Sequence, residues 1–469
     1  MISRIQIVGI HGDQDIDQEL RPGLNILHAK NGAGKTTFLH VIANLFERDI
    51  ERFCHLRFSK ITVILQDGGI VTLRQRINGK DPIVSVEING KEYDQISRSK
   101  RIELSLDQLL YDKLGGRPVY LPAFRSILEG SQDTAYSTPA YRASRDNEEY
   151  QEILNRERLT RRGVQRGGGV LGDRIIESVA IKTVMCRGWF GDFVPVVRYP
   201  SLPDVDRALS REIRQAYFSV FRTDQRILSN IFLKVFDAIV KREASPLVID
   251  TSALLDQLVK KLGALNQASV SGSEIYAQLE QRLREQSGDK LPDENRIKVI
   301  LSIYDEALDE RSTAERDAFK NIQRFLGSVN TFLTGKSIEF RNELIDRPHA
   351  FETYLYVRLL LDRDVPLRVL SSGERHVLTL LFSTTHMSSE DGIVLIDEPE
   401  LSLHVDWLRI ILGELMKQVG NRQVIACTHS PEIAAEHLDK LRELSFLPRA
   451  RNGDEVEITD PDDLISDEA

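Results

Sequence analysis

The sequence predicts an α/β protein in which a mixed sheet, part antiparallel and part parallel, is split by a largely helical insertion of about 200 residues. Three observations point there. Residues 61–93 alternate apolar and polar with period two around Asp-Gly-Gly and Asn-Gly steps, the pattern of antiparallel hairpins. Short apolar runs alternate with helical spacing near both ends of the chain, as parallel strands joined by helices require. Between them, 204–242, 251–262, 272–286 and 293–333 read as long amphipathic helices with no unbroken heptad.

Taken in order, IQIVG and LNILH are short apolar strands, and TTFLHVIANLF is a helix with Phe38, Ile42, Leu45 and Phe46 on one face. The alternating segment 61–93 follows, and then RPVYLPAFRS (117–126), a buried strand running into a loop at Pro122. Residues 142–166 hold seven arginines (Arg142, Arg145, Arg156, Arg158, Arg161, Arg162, Arg166) before the glycine-punctuated RGGGVLGD. Beyond the helical stretches come the strands SIEFRNEL and TYLYVRLLLD. A helix after VLSSGERH, the strand GIVLID, a helix at 405–418, the strand QVIACTH and a short helix complete the pattern. The expected divisions are 1–126, 127–339, 340–450 and an acidic tail, 451–469.

At 469 residues the chain suggests two or three domains. A net charge of −9 is a poor match to a dedicated nucleic-acid binder, the arginine segment aside. No apolar run approaches the roughly 18–20 residues that span a bilayer. The N-terminus shows no signal-peptide cleavage pattern. Three scattered cysteines (Cys54, Cys186, Cys427) fit a reducing compartment rather than a zinc or disulfide framework. A cytoplasmic protein with no membrane association is expected.

Four motifs carry chemistry. HAKNGAGKTT (28–37) follows a strand and opens a helix, the context of a phosphate loop. Backbone N–H groups across Asn31, Gly32, Ala33 and Gly34 would converge on phosphate oxygens, helped by the positive helix end. Lys35 would reach the β- and γ-phosphates, Thr36 would ligate Mg²⁺, and Thr37 completes the loop. Ala29 stands where the usual pattern begins with glycine, which requires only that its backbone keep a negative φ. In IVLIDEPELSLH (393–404), Asp397 at the strand's edge can hold Mg²⁺ opposite Thr36, and Glu398 can polarise an attacking water. VIACTHSPEI (424–433) sets His429 on the rim where α/β sheets bind ligands. VLSSGERH (369–376) starts a helix with Ser371 as its N-cap, a geometry that both caps the helix and offers amides to an anion.

Strand–NGAGKTT, LSSGE, IDEPE…LH and THS, in this order, resemble the ABC-type ATPase heads of the RecF, SMC and OLD families. The wording DEPELSLH and THSPE looks most like the OLD-like branch. The resemblance covers roughly 1–125 and 340–435 and implies ATP and Mg²⁺ as ligands. It implies that LSSGE is the signature motif, with Ser371, Gly373 and Glu374 meeting ATP held by an opposing copy, so that two heads sandwich two nucleotides. Glu398 would then be the hydrolytic glutamate, His429 the switch histidine, and His404 part of the loop that crosses the dimer. The glutamine usual after a strand in this family is replaced in the loop following VYLP by Ala123, Phe124 and Arg125, while Gln66 falls in an expected hairpin. OLD enzymes append a nuclease domain, and about forty residues follow His429 here. The resemblance thus implies an ATPase sensor or scaffold acting on a separate effector, a nuclease or toxin, as in the antiphage PARIS (AriA-like) and Septu systems. The alternative is a RecF- or SMC-like DNA repair or chromosome-maintenance ATPase, with DNA contacted through 142–166.

Overall fold

Period-two alternation sends neighbouring side chains of a strand to opposite faces, and here each face of the central sheet has its own core. The structure, a computed structural model, describes residues 1–448 apart from 13, 31, 79–80, 98–101, 125–127, 129–146, 165–172, 241–250, 269–272, 287–293, 342–353, 388–391, 402, 435 and 445. The acidic tail lies outside the described residues.

From the N-terminus, β1 (Ile2–Ile10), β2 (Gln14–Glu19) and β3 (Leu24–His28) lead through the phosphate loop into α1 (Lys35–Glu47). Four strands follow: β4 (Lys60–Leu65), β5 (Ile70–Asn78), β6 (Asp81–Ile88) and β7 (Lys91–Ile96). The Asn-Gly step between β6 and β7 makes the expected turn, because Asn89 and Gly90 both take positive φ, at 50° and 83°. Next come α2 (Leu104–Leu114), which the sequence reading did not anticipate, and β8 (Val119–Leu121).

The helical segment comprises α3 (Glu148–Val164), α4 (Asp173–Phe190), α5 (Leu202–Val240), α6 (Thr251–Ala268), α7 (Ser273–Gln286) and α8 (Glu294–Asn330). Contacts between α5 and α8 run in opposite senses: Asp224 meets Arg311, Arg226 meets Glu310 and Lys234 meets Glu306. The two long helices are therefore an antiparallel pair. Leu254, Leu255, Leu258 and Leu262 of α6 pack on Leu301 and Leu308 of α8, covering part of that arm.

The chain returns through β9 (Lys336–Phe340), β10 (Leu355–Leu359) and β11 (Arg363–Val365), a small antiparallel sheet. Then follow α9 (Ser372–His386), β12 (Val394–Asp397), α10 (Val405–Val419), β13 (Val424–Thr428), β14 (Leu441–Glu443) and β15 (Phe446–Pro448). The central sheet is parallel throughout, in the order β14-β3-β13-β12-β8, so strands from before and after the helical segment interleave. The seven-stranded sheet, β15-β2-β1-β4-β5-β6-β7, is antiparallel and likewise closes with a C-terminal strand. Buried Gln423 stitches the two sheets. Its side chain accepts from the Ile2 amide at 2.8 Å and donates to the carbonyls of Ile2 and Arg21.

Alternation assigns the cores. Ile26, Val394, Ile396, Val424 and Ala426 face the core shared with α9, α10 and the helical segment. Leu27, Leu395, Ile425 and Cys427 face the core shared with α1 and the antiparallel sheet. With the strands buried on both faces, their C-terminal edges are where polar groups of the parallel sheet can gather. The three cysteines are buried and form no disulfide. Among the described residues, no helix is long and apolar enough to cross a membrane.

Candidate functional site

The loop from β3 to α1 turns on two left-handed residues that only glycine adopts without strain, Gly32 (φ 77°) and Gly34 (φ 83°). Gly34 immediately precedes the first turn of α1. Ala29 is not among the described residues of positive φ, so the missing glycine costs nothing there. Its amide donates to the Thr428 carbonyl at 3.3 Å, fastening the loop to the end of β13. Asn31 lies outside the described residues. Ala33 and Thr37 lie on the loop and in the first turn of α1, and Thr37 Oγ1 is 3.5 Å from His11 Nε2.

Lys35 is almost wholly buried and points back along the loop, donating to the carbonyls of Ala29 (3.0 Å) and Lys30 (3.3 Å). Its Nζ also lies 3.1 Å from Glu398 Oε1. Thr36 Oγ1 donates to Asp397 Oδ2 at 2.7 Å, and Asp397 is fully buried at the edge of β12. This pair of hard oxygen donors on rigid elements fits Mg²⁺, which takes one or two protein oxygens beside phosphate and water.

Glu398 leaves β12 with a φ of 47°, a left-handed conformation costing a non-glycine residue about 1 kcal/mol or more. Its amide donates to the Cys427 carbonyl at 2.8 Å, so the kink is bonded to the neighbouring strand. The kink turns its carboxylate between Lys35 and His429, whose Nδ1 donates to Oε2. Burial pushes the Glu398 carboxyl up, but hydrogen bonds from His429 and Lys35 outweigh it and hold the group below the usual carboxylate range. The charged form that a proton acceptor needs is thus the favoured one.

Glu400, two residues on, was not singled out from the sequence. Its Oε1 accepts from Thr428 Oγ1 (2.5 Å) and from the amides of His429 (3.0 Å) and Ser430 (3.2 Å), and it lies 3.0 Å from His429 Nδ1. Burial raises its carboxyl pKa, against the pull of Thr428. The only sequence signal was a further acid in IDEPE, with nothing to say that it reaches the next strand. His28 was missed likewise; its Nε2 donates to the His429 carbonyl at 3.2 Å.

The structure therefore brings Lys35, Thr36, Asp397, Glu398 and His429 together at adjacent strand ends. Ser371, Glu374 and His404 make their hydrogen bonds elsewhere. Ser371 accepts from the Glu374 amide through Oγ (3.4 Å), while its own amide donates to Glu374 Oε2 (2.7 Å), a reciprocal capping box on α9. Lys336 pairs with the same carboxylate at 2.9 Å. Glu374, expected among the nucleotide contacts, thus spends its carboxylate on its own helix start. Ser371 is exposed and Gly373 half-buried. Among the described residues, no hydrogen bond or ion pair joins Ser371, Gly373 or Glu374 to Lys35 or Thr36. His404 caps α10, accepting from the Asp406 amide at 3.4 Å, and its side chain is 70% exposed.

A cavity of about 780 Å³ opens beside Thr36 and Asp397. His11, Thr37, Phe124, Phe190 and Leu401 help to line it, and Phe124 stacks on Phe190 with centroids 4.2 Å apart. The loop after β8 thus carries an aromatic residue packed on the end of α4.

The arginine segment departs from its DNA-facing expectation at Arg156. That side chain turns inward from α3 to pair with Asp49 (3.4 Å) and Glu51 (3.2 Å) after α1. Arg187 of α4 joins the same group through Asp49 and Glu149, and buried Arg198 clasps Glu47 and Glu157. Charges so buried need partners, and here they bind the phosphate-loop helix to the first inserted helices. Arg158 is exposed. Arg142, Arg145 and Arg166 lie outside the described residues, as do the side chains of Arg161 and Arg162.

A phosphate loop beside an acid-ended parallel strand defines a P-loop nucleotide-binding architecture. A sequence family described as "AAA domain, putative AbiEii toxin, Type IV TA system" matches residues 251–435, a span that includes α9, Asp397, Glu398 and His429. Over these residues, which exclude the loop at 28–37, the chain is similar to an AAA-type domain. None of the curated proteins matches it. Among solved structures it is similar to an Smc head domain with an extended coiled coil, bound to the C-terminal domain of ScpA, derived from Pyrococcus furiosus. That match has 12% identity and a TM-score of 0.36, covering 95% of this chain and 96% of that one. An SmcHead bound to the C-winged helix domain of ScpA gives 10% identity and 0.37, covering 95% and 97%. An Smc head with coiled coil and joint from Pyrococcus yayanosii gives 13% and 0.32, covering 92% and 93%. Those values are too low to carry a function across.

Proposed function

We propose that this protein binds and hydrolyses ATP with Mg²⁺, using two copies paired head to head. The convergence of Lys35, Thr36, Asp397, Glu398 and His429 at one sheet edge carries this reading. The loop amides and Lys35 would hold the triphosphate, and Thr36 and Asp397 would hold Mg²⁺, which would supply charge neutralisation there. Glu398 takes the proton of the attacking water, and His429, its Nδ1–H given to carboxylates, fixes that group's orientation. Ser371 is exposed at the start of α9, with Gly373 half-buried and the Glu374 carboxylate closing the cap, a helix start that suits a site completed by a second copy. His404, exposed on α10, would lie near that contact. Phosphate release from ATP by the purified chain, abolished in Lys35→Met, tests the reading. A wild-type protein that releases none sinks it.

The process served is proposed to be antiphage defence, the ATPase acting as sensor and scaffold for a separate nuclease or toxin. The motif wording DEPELSLH and THSPE supports this, as does the matched family's description, which names a toxin–antitoxin system. Co-purification from the native operon, with phage challenge of the expressing cells, is the test. Absence of both a partner and protection rejects it.

A further inference from the structure

We infer that Glu400 is a positioning residue that latches the histidine loop after β13 onto the acidic loop after β12. The inference rests on the proposed ATPase reading. One carboxylate oxygen, Glu400 Oε1, meets four donors from three consecutive residues: Thr428 Oγ1, the amides of His429 and Ser430, and His429 Nδ1. Thr428 Oγ1 also accepts from the Ser430 amide at 2.9 Å, closing the turn on itself. The other oxygen, Oε2, is buried with no hydrogen-bond partner among the described residues. A buried carboxylate with one unserved oxygen is costly to keep, and its return here is control of the histidine loop.

The chemical consequence follows from the tautomer. Two carboxylates on one side of the imidazole, both acceptors, require the hydrogen on Nδ1. His429 is thereby fixed at its backbone by Glu400 and at its ring by Glu398 and Glu400 together. Glu398 in turn is held by the ring against Lys35. Glu400 acts on the catalytic groups by holding them, through His429 and through a hydrogen bond to Glu398.

The test uses the full chain with Glu400→Ala and Glu400→Gln, each alone and with His429→Ala. Gln keeps an oxygen for the three loop donors; Ala keeps none. Outer partners of this kind typically set activity by about 10–100-fold. We expect Glu400→Ala to lower kcat for ATP by about that factor while KM stays within about twofold. Glu400→Gln should recover most of the loss, and Glu400→Ala should cost less in the His429→Ala background. Hydrogen exchange at the amides of 429 and 430 should accelerate in Glu400→Ala and not in Glu400→Gln. A kcat within about twofold of wild type, an equal loss in the His429→Ala background, or unchanged exchange overturns the inference. The exchange readout needs no turnover, so an inactive wild type would reject the ATPase reading while the latch is still decided.

Discussion

Glu398→Gln isolates the charge of one residue with little change of shape. The amide oxygen can still accept from Lys35, now 3.1 Å from Oε1, but the carboxylate that accepts from His429 Nδ1 is gone. A positioned general base contributes about 10²–10⁴-fold, so the barrier should rise by about 2.7–5.5 kcal/mol. Nucleotide affinity should not fall. Phosphate must draw Lys35 away from Glu398, and removing that competing charge should favour binding by on the order of 1 kcal/mol, about fivefold. Glutamine carries the same left-handed strain as glutamate, so the melting temperature should move by only a few degrees. Phosphate release, equilibrium binding of a fluorescent ATP analogue and gel filtration read the three expectations: slow turnover, retained binding and accumulation of an ATP-bound assembly. Hydrolysis within about twofold of wild type would show that Glu398 is not the proton acceptor. A binding loss beyond tenfold would show that the substitution had disturbed the cradle instead.

Three further outcomes follow from other contacts. Ser371→Arg should abolish hydrolysis and leave nucleotide binding by the isolated subunit nearly intact, because Ser371 caps an exposed helix outside the Lys35 cluster; loss of binding refutes the two-copy arrangement. Asp397→Asn should raise the Mg²⁺ concentration needed for turnover by about 10–100-fold, read by metal titration, and an unchanged requirement removes Asp397 from the metal. Glu51 is pushed up to about 7 by burial and by Asp49 beside it. Its folded value exceeds the unfolded one, so its contribution is full below about pH 4.5 and lost as pH rises through 7. Relative to Glu51→Gln, wild type should lose up to about 3 kcal/mol between pH 5 and 8 by denaturant unfolding; a flat difference contradicts the assignment.

What could be read from the sequence was local. Asn89-Gly90 announces its turn because the step itself demands positive φ, and NGAGKTT announces its loop because two glycines and a lysine precede a helix. The motif order also matched a P-loop architecture. The parts not legible depend on partners distant along the chain. Glu400 is one more acid in IDEPE until β13 is placed beside β12, which brings Thr428, His429 and Ser430 to it. Arg156 looks like surface charge, since helical spacing records that a residue is polar and not that Asp49 and Glu51 await it. The strands β11, β14 and β15, three residues each, are too short for periodicity to register. Glu374 shows a different limit, because one residue type serves equally as ligand and as capping-box acid.

The interleaved sheet also constrains how the protein is made. β3, which carries the phosphate loop, lies between β13 and β14, whose residues follow about 400 positions later. During synthesis at 5–20 residues per second, the nucleotide cradle therefore waits roughly 20–80 s for its neighbours. The helices between, joined by contacts closer in sequence, can pair first. A ribosome-bound or truncated chain that ends before β13 would thus present a helical arm without a working cradle. Any cell that depends on this protein to govern a harmful activity obtains that control only once translation has passed His429.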